Sequence, residues 1–177
     1  MTKNNPPVLF ILSGLPASGK STLSKFISRE YQAAYLRIDT IEQTLRDLFR
    51  QDVYGEGYGV AYKVAADNLK LGQNVVADSC NPIILTRNEW ENVAKRNGCL
   101  SVNIEVICSD KEEHKDRLKN RQLEVENLQP LTWENVENRE FHDWNGQRIT
   151  IDTANKTIEE TVIELLNEIK NLLDKKE

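Results

Sequence analysis

The stretch Gly14-Leu15-Pro16-Ala17-Ser18-Gly19-Lys20-Ser21 constrains this chain more than any other, because it matches G-x-x-x-x-G-K-[ST] in full. The apolar run Val8 to Ser13 leads into it and a helical pattern follows, which is the setting the motif requires. The glycines let the backbone curl until successive N–H groups converge on phosphate oxygens, and the helix beginning there adds the positive end of its dipole. Nucleotide contacts are therefore expected from Gly14, Leu15, Pro16, Ala17, Ser18, Gly19, Lys20, Ser21 and Thr22. Lys20 would neutralise the β and γ phosphates of ATP, and Ser21 would place its hydroxyl on a Mg²⁺ ion bridging them.

Two rival readings of the same region fail on spacing. A dinucleotide fold also uses a glycine turn, with an acid about 20 residues on, where Asp39 stands; but Gly14 and Gly19 are five apart and no G-x-G is present. Asp52-Val53-Tyr54-Gly55 spells the D-x-x-G of a switch GTPase, yet no apolar strand precedes it. No N-K-x-D follows either, since Asn155-Lys156-Thr157-Ile158 lacks the aspartate.

With 177 residues the chain has room for one compact domain, expected to span 1–177. Lys and Arg number 23 against 28 Asp and Glu, and the resulting charge of −5 argues against broad attraction to nucleic acid or anionic membrane. No apolar run is long enough to span a bilayer, and the opening MTKNNPP lacks the apolar stretch of a secretory leader, so a cytoplasmic protein is expected. Cys80, Cys99 and Cys108 form no C-x-x-C pair and are expected as reduced, buried structural thiols. His114 and His142 are far apart, and no spacing of His, Cys or carboxylates completes a metal cage.

Five strands are expected at Val8–Ser13, Tyr35–Asp39, Asn74–Asp78, Leu100–Cys108 and Gln147–Asp152, alternating with helices in an α/β fold around a mainly parallel sheet. Asn81 before Pro82 has the look of an N-cap, and Gly98 would close that helix, whose core face would carry Ile83, Trp90 and Ala94. Ser109 with Glu112 and Thr157 with Glu160 have capping-box spacing. After Thr157, the run Ile158, Val162, Leu165, Leu166, Ile169, Leu172 and Leu173 has helical period and should pack on the sheet. The glycine-dense Gly55, Gly57 and Gly59 and the charged stretch from Asp110 to Asn127 are expected to be mobile.

Ligands of an open parallel sheet bind at the carboxyl ends of its strands, where Asp39 and Asp78 are expected to flank the phosphate loop. Asp39 can accept the proton of an attacking hydroxyl, support a metal's water shell, or cap the following helix. Asp78 can bind substrate or cap its own turn with Ser79 and Asn81. Arg117 and Arg121 are four apart, so they share a helix face and belong either to a lid closing on the transferring phosphoryl or to a solvated face laced with ion pairs. Tyr54, Tyr58 and Tyr62 surround the glycines and either wrap an acceptor or pack on the surface.

Beyond GLPASGKS, the segments LRIDTIEQ, GYGVAYKVAADNLKLGQNVVADSCNP, TRNEW, EEHKDRLKNR, PLTWENVENREFHDW and RITIDTANKTIEE resemble P-loop kinases of the group that includes zeta toxins, chloramphenicol phosphotransferase and gluconate kinase-like enzymes. The resemblance implies a three-layer P-loop NTPase sandwich with a parallel five-stranded sheet of order 2-3-1-4-5 and a helical lid, here about 110–145. It implies transfer of the ATP γ-phosphate to a hydroxyl, with Asp39 as base and Arg117 and Arg121 as lid arginines. It also puts Arg148 and Thr153 to Lys156 beside adenine. Adenylylsulfate and gluconate kinases carry a second nearby carboxylate where this chain reads Arg37-Ile38-Asp39-Thr40-Ile41, which argues against those two acceptors. Shikimate kinase would need a D-x-D and a later glycine triplet, and neither is present.

The expected function is that of an ATP-dependent phosphotransferase using Mg²⁺ and acting on a hydroxyl of a small molecule, with catalytic Lys20, Asp39, Arg117 and Arg121. The stretches about 40 to 65 and 78 to 90 would shape the acceptor pocket, making Asp39, Asp78, Arg87 and Tyr58 the candidate substrate contacts. Two other functions fit the motif: a 5′-hydroxyl polynucleotide kinase, disfavoured by the acidity of the chain, and an ATP-binding switch with little turnover.

Overall fold

The computed structural model describes residues 6–175. Five strands, β1 (Val8–Ser13), β2 (Ala34–Arg37), β3 (Val75–Asp78), β4 (Leu100–Ile107) and β5 (Ile149–Asp152), form one sheet of order β2-β3-β1-β4-β5. All four pairings are parallel, as in P-loop NTPases, and the expected strand order is the one observed. The helices are α1 (Lys20–Glu30), α2 (Ile38–Phe49), α3 (Glu56–Lys70), α4 (Ile84–Arg96), α5 (Lys111–Lys119), α6 (Trp133–Glu137) and α7 (Ile158–Asp174). No described helix is long and apolar enough to cross a membrane.

Successive side chains of a strand point to opposite faces, and an all-parallel sheet is covered on both. Phe10 and Leu12 of β1 accordingly meet Leu23 and Ile27 of α1 and Leu165 and Ile169 of α7 on one side. Leu9 and Ile11 meet Ala61, Ala65 and Leu69 of α3 and Trp90, Val93 and Ala94 of α4 on the other. Every residue of β1 is buried, which places the loop that follows it at the middle of the sheet's carboxyl edge.

Several local expectations change. The second strand stops at Arg37, so Asp39 lies in the first turn of α2 rather than at a strand end. Helix α4 begins at Ile84 without a side-chain cap; Asn81 stays outside it with φ 48°, its amide donating to Ser13 Oγ and its carbonyl accepting from Arg87 Nε. Gly98, at φ 65°, does close that helix. The N-cap of α5 is Asp110, which accepts from the amides of Glu112 and Glu113, rather than Ser109. Thr157 and Glu160 form the expected capping box of α7, though Ile158 is exposed. The glycine-dense stretch is the start of α3: Gly57 is buried against Glu42 of α2, and a side chain there would collide with it. Tyr62 stacks edge-on against Trp90 with Tyr58 beside it, so these two rings belong to the core flank, while Tyr54 is exposed.

Candidate active site

Three positive φ values shape the phosphate loop: 145° at Gly14, 65° at Ala17 and 98° at Gly19, the residue that opens α1. Gly14 donates its amide to the carbonyl of Cys80 at 3.1 Å, tying the loop to the end of β3. A methyl group on Gly14 would run into the carbonyl oxygen of Val106. Lys20 Nζ donates to the Leu15 carbonyl at 2.9 Å, arched over its own loop as an ammonium waiting for phosphate would be. Pro16, Ala17, Gly19, Lys20, Ser21 and Thr22 face a cavity of about 840 Å³, with Gly14, Leu15 and Ser18 behind them shaping the turn. Nine lysines and arginines line that cavity against four acids, in a chain whose net charge is −5, so the positive potential is concentrated here.

Asp39 and Asp78 both line the cavity. Asp39 is half exposed, with Arg121 Nη2 at 3.8 Å from its Oδ2. Asp78 is buried and accepts a 2.6 Å bond from the Tyr35 hydroxyl; it caps no turn. Burial and the Asp78 carboxylate push the Tyr35 phenol well above its ordinary range, which keeps it a donor. Further along α2, Glu42 pairs with Arg46 at 3.2 Å, and burial raises the Glu42 carboxyl against the pull of that arginine.

Residues between Arg117 and Arg139 supply part of the cavity wall. His114, only 5% exposed, has Nε2 at 2.7 Å from the Pro16 carbonyl, and Trp133 of α6 stacks edge-on against its ring. A carbonyl only accepts, so His114 Nε2 carries the proton. Arg117 donates to Thr153 Oγ1 and the Thr153 carbonyl at 2.6 and 2.8 Å and to Glu113 at 2.6 Å. Arg117 and Arg121 do not share a helix face, because α5 ends at Lys119; both nevertheless line the cavity. Beyond them, Glu124 binds Arg37 at 2.7 Å and Lys25 at 2.6 Å.

Three expected site residues lie elsewhere. Arg87 is buried at 4% exposure and its guanidinium donates to the carbonyls of Asn81, Pro82, His142 and Asp143 while facing the rings of Phe141 and Trp144. With these donors on backbone, it ties the start of α4 to the chain at His142 and Asp143 and is not in the cavity wall. Tyr58 accepts from the Asn81 amide through its hydroxyl and is not in the cavity wall. Arg148 precedes β5, at the end of the strand away from the phosphate loop, where it pairs with Glu105. Thr153 and Lys156, by contrast, are in the wall. The cysteines are free but half-buried rather than buried, and Cys80 lines the cavity.

Sequence reasoning missed His114, Tyr35, Glu42, Arg46 and Arg139, all at or beside the cavity. Glu42 and Arg46 carried a readable signal in their i,i+4 spacing. His114, Tyr35 and Arg139 carried none, since their positions depend on contacts distant in sequence.

The AAA domain family profile matches residues 9–140 of the chain. No curated protein matches the sequence. Among solved structures, the gluconokinase from Sinorhizobium meliloti 1021 superposes with a TM-score of 0.71 at 14% identity, covering 97% of this chain and 96% of that one. The Mycobacterium tuberculosis APS kinase CysC in complex with AMPPNP and APS gives 0.71 at 15% identity, with coverage of 94% and 99%. The Chaetomium thermophilum Kti12 in complex with ADP-AlF3 gives 0.69 at 19% identity, with coverage of 92% and 97%. At these identities the likeness is one of fold.

Proposed function

The chain belongs to the AAA domain family, and on that premise we propose that it is an ATP-dependent phosphotransferase that moves the γ-phosphate to a hydroxyl of a small molecule. The observation that carries this reading is the sharing of one cavity by the phosphate loop, with Lys20 and Ser21, and by Asp39. The named kinases of the same fold, gluconokinase and APS kinase, support it in general terms and leave the acceptor open.

In this reading the triphosphate lies along Pro16 to Thr22, Lys20 turns from the Leu15 carbonyl onto the β and γ oxygens, and the base lies toward Thr153 and Lys156. The acceptor hydroxyl enters on the side of Asp39, Asp78 and Gln43. Its oxygen bonds to the γ phosphorus as the bond from that phosphorus to the bridging oxygen breaks. Asp39 takes the hydroxyl proton, and ADP leaves with the bridging oxygen. Arg121 faces Asp39, with its Nη2 3.8 Å from the carboxylate.

The residues fit a Mg²⁺ ion held mainly by phosphate and water. The Ser21 hydroxyl is in the cavity wall, Asp78 is a buried carboxylate close by in the same wall, and no group of three metal-binding side chains exists among the described residues. When bound, the ion would draw charge from the β and γ phosphate oxygens.

The test is ADP formation from Mg-ATP in the presence of fractionated metabolite extract, with Asp39→Asn run beside the wild type. A fraction that raises ADP release in the wild type alone, and that yields a product one phosphate heavier, establishes the activity. ATP binding with no fraction effective would overturn the small-molecule reading.

A further inference from the structure

Four cavity-lining arginines already have carboxylate partners: Arg37 with Glu124, Arg46 with Glu42, Arg117 with Glu113 and Arg121 with Asp39. Arg139 lines the same cavity, is half-buried, and among the described residues makes no side-chain hydrogen bond, ion pair or ring contact. Its backbone amide donates to the Val136 carbonyl at 3.3 Å. A guanidinium partly removed from water without a counter-charge is an energetic cost that an incoming anion offsets. Arginine is also the side chain whose planar fork matches an oxyanion.

The placement of Arg139 is not that of a loose surface cation. Val136, one turn before it, is fully buried, and α6 is fixed at its start by the reciprocal capping box of Thr132 and Asn135. Trp133 of the same helix stacks on His114, which bonds to the phosphate loop. The short helix thus presents Arg139 to the cavity from a framework anchored on that loop.

We propose that Arg139 is an oxyanion-binding residue of the substrate site, receiving either the γ-phosphoryl of ATP or an anionic group, phosphate or carboxylate, carried by the acceptor itself. The proposal rests on the phosphotransfer reading of the cavity and adds to it the cavity-lining arginine that has no side-chain partner among the described residues. Arg139 stabilises bound negative charge and takes no part in proton transfer.

The test compares wild type, Arg139→Ala and Arg139→Lys in two binding measurements. The first is affinity for ADP and for a non-hydrolysable ATP analogue, both with Mg²⁺. Loss of about tenfold or more in analogue affinity for Arg139→Ala, with ADP affinity unchanged and Arg139→Lys intermediate, assigns the γ-phosphoryl. The second is thermal stabilisation by sulfate, against chloride at equal ionic strength, with the analogue saturating. Sulfate stabilisation of the wild type that Arg139→Ala loses assigns the acceptor's anionic group. Arg139→Ala equal to wild type in both measurements overturns the proposal. Unfolding midpoints without ligand control for folding, and Arg139→Gln replaces the alanine variant if that variant does not fold. The two readings fail separately: if the wild type binds no nucleotide, the phosphotransfer reading fails, while sulfate stabilisation of the wild type without nucleotide, lost in Arg139→Ala, still reads Arg139 directly.

Discussion

The ring Nε2 of His114 lies 2.7 Å from the carbonyl oxygen of Pro16, which joins the first helix of the lid to the backbone of the phosphate loop. The ring is buried and stacked on Trp133, so nothing else is placed to satisfy that carbonyl when the ring is removed. His114→Ala is therefore expected to lower stability by about 1–3 kcal/mol and to weaken nucleotide binding. Denaturant unfolding and nucleotide titration check both effects, and His114→Gln, which keeps a donor, should recover part of each.

Lys20 and Asp39 line one cavity and should separate binding from transfer. Lys20→Ala is expected to reduce turnover by about 10²–10³-fold. Asp39→Asn should retain ATP affinity and lose about 10²–10⁴-fold in transfer to the acceptor. Transfer at the wild-type rate by Asp39→Asn would remove it as base.

The Arg87 clamp makes a prediction opposite to that of a substrate ligand. Removing a buried guanidinium that binds four backbone carbonyls should cost about 3 kcal/mol or more in stability, and Arg87→Lys should not rescue it, because one ammonium cannot span the same carbonyls. Nucleotide affinity of the folded fraction should stay near wild type.

Gly14 approaches the Val106 carbonyl too closely for a side chain and has a φ of 145°. Gly14→Ala is expected to destabilise the chain by about 2 kcal/mol or more and to abolish nucleotide binding, read by thermal unfolding with and without ATP.

Burial pushes the phenols of Tyr31, Tyr35, Tyr58 and Tyr62 up from their ordinary range, and Asp78 adds to the effect at Tyr35. In the unfolded chain these groups lose protons near pH 10, whereas in the folded chain they hold them. Their contribution to stability is thus fully present below about pH 10 and is lost as pH rises through the folded values. Alkaline unfolding should accompany tyrosinate absorbance, and Tyr35→Phe should lessen the pH dependence while lowering stability at neutral pH.

The phosphate loop was legible because its function depends on backbone geometry set by eight consecutive residues. Hydrophobic runs likewise revealed the strands, since burial on both faces leaves a continuous apolar record. The errors arose where a side chain's role depends on what lies opposite it. Arg87 sits in a stretch expected to line the acceptor pocket, yet its partners are backbone carbonyls, two of them more than fifty residues away. Arg117 and Arg121 have helical spacing, but α5 ends between them. Arg148 lies near the correct strand at its wrong end. Asp39 lines the cavity despite a misplaced boundary, because a strand end and the first turn of the next helix lie at the same edge of the sheet.

The lid is fastened at its two limbs, by His114 on the loop and by Arg87 on the carbonyls of His142 and Asp143. Between those limbs Arg117 binds Thr153 and Arg121 faces Asp39, and farther out the contacts are polar pairs: Glu124 with Lys25 and Arg37, and Asn127 with Asp47. Such pairs are each worth at most about 1 kcal/mol and are screened by salt. Rising ionic strength is therefore expected to loosen the contacts of Glu124 and Asn127 while those of His114 and Arg87 hold.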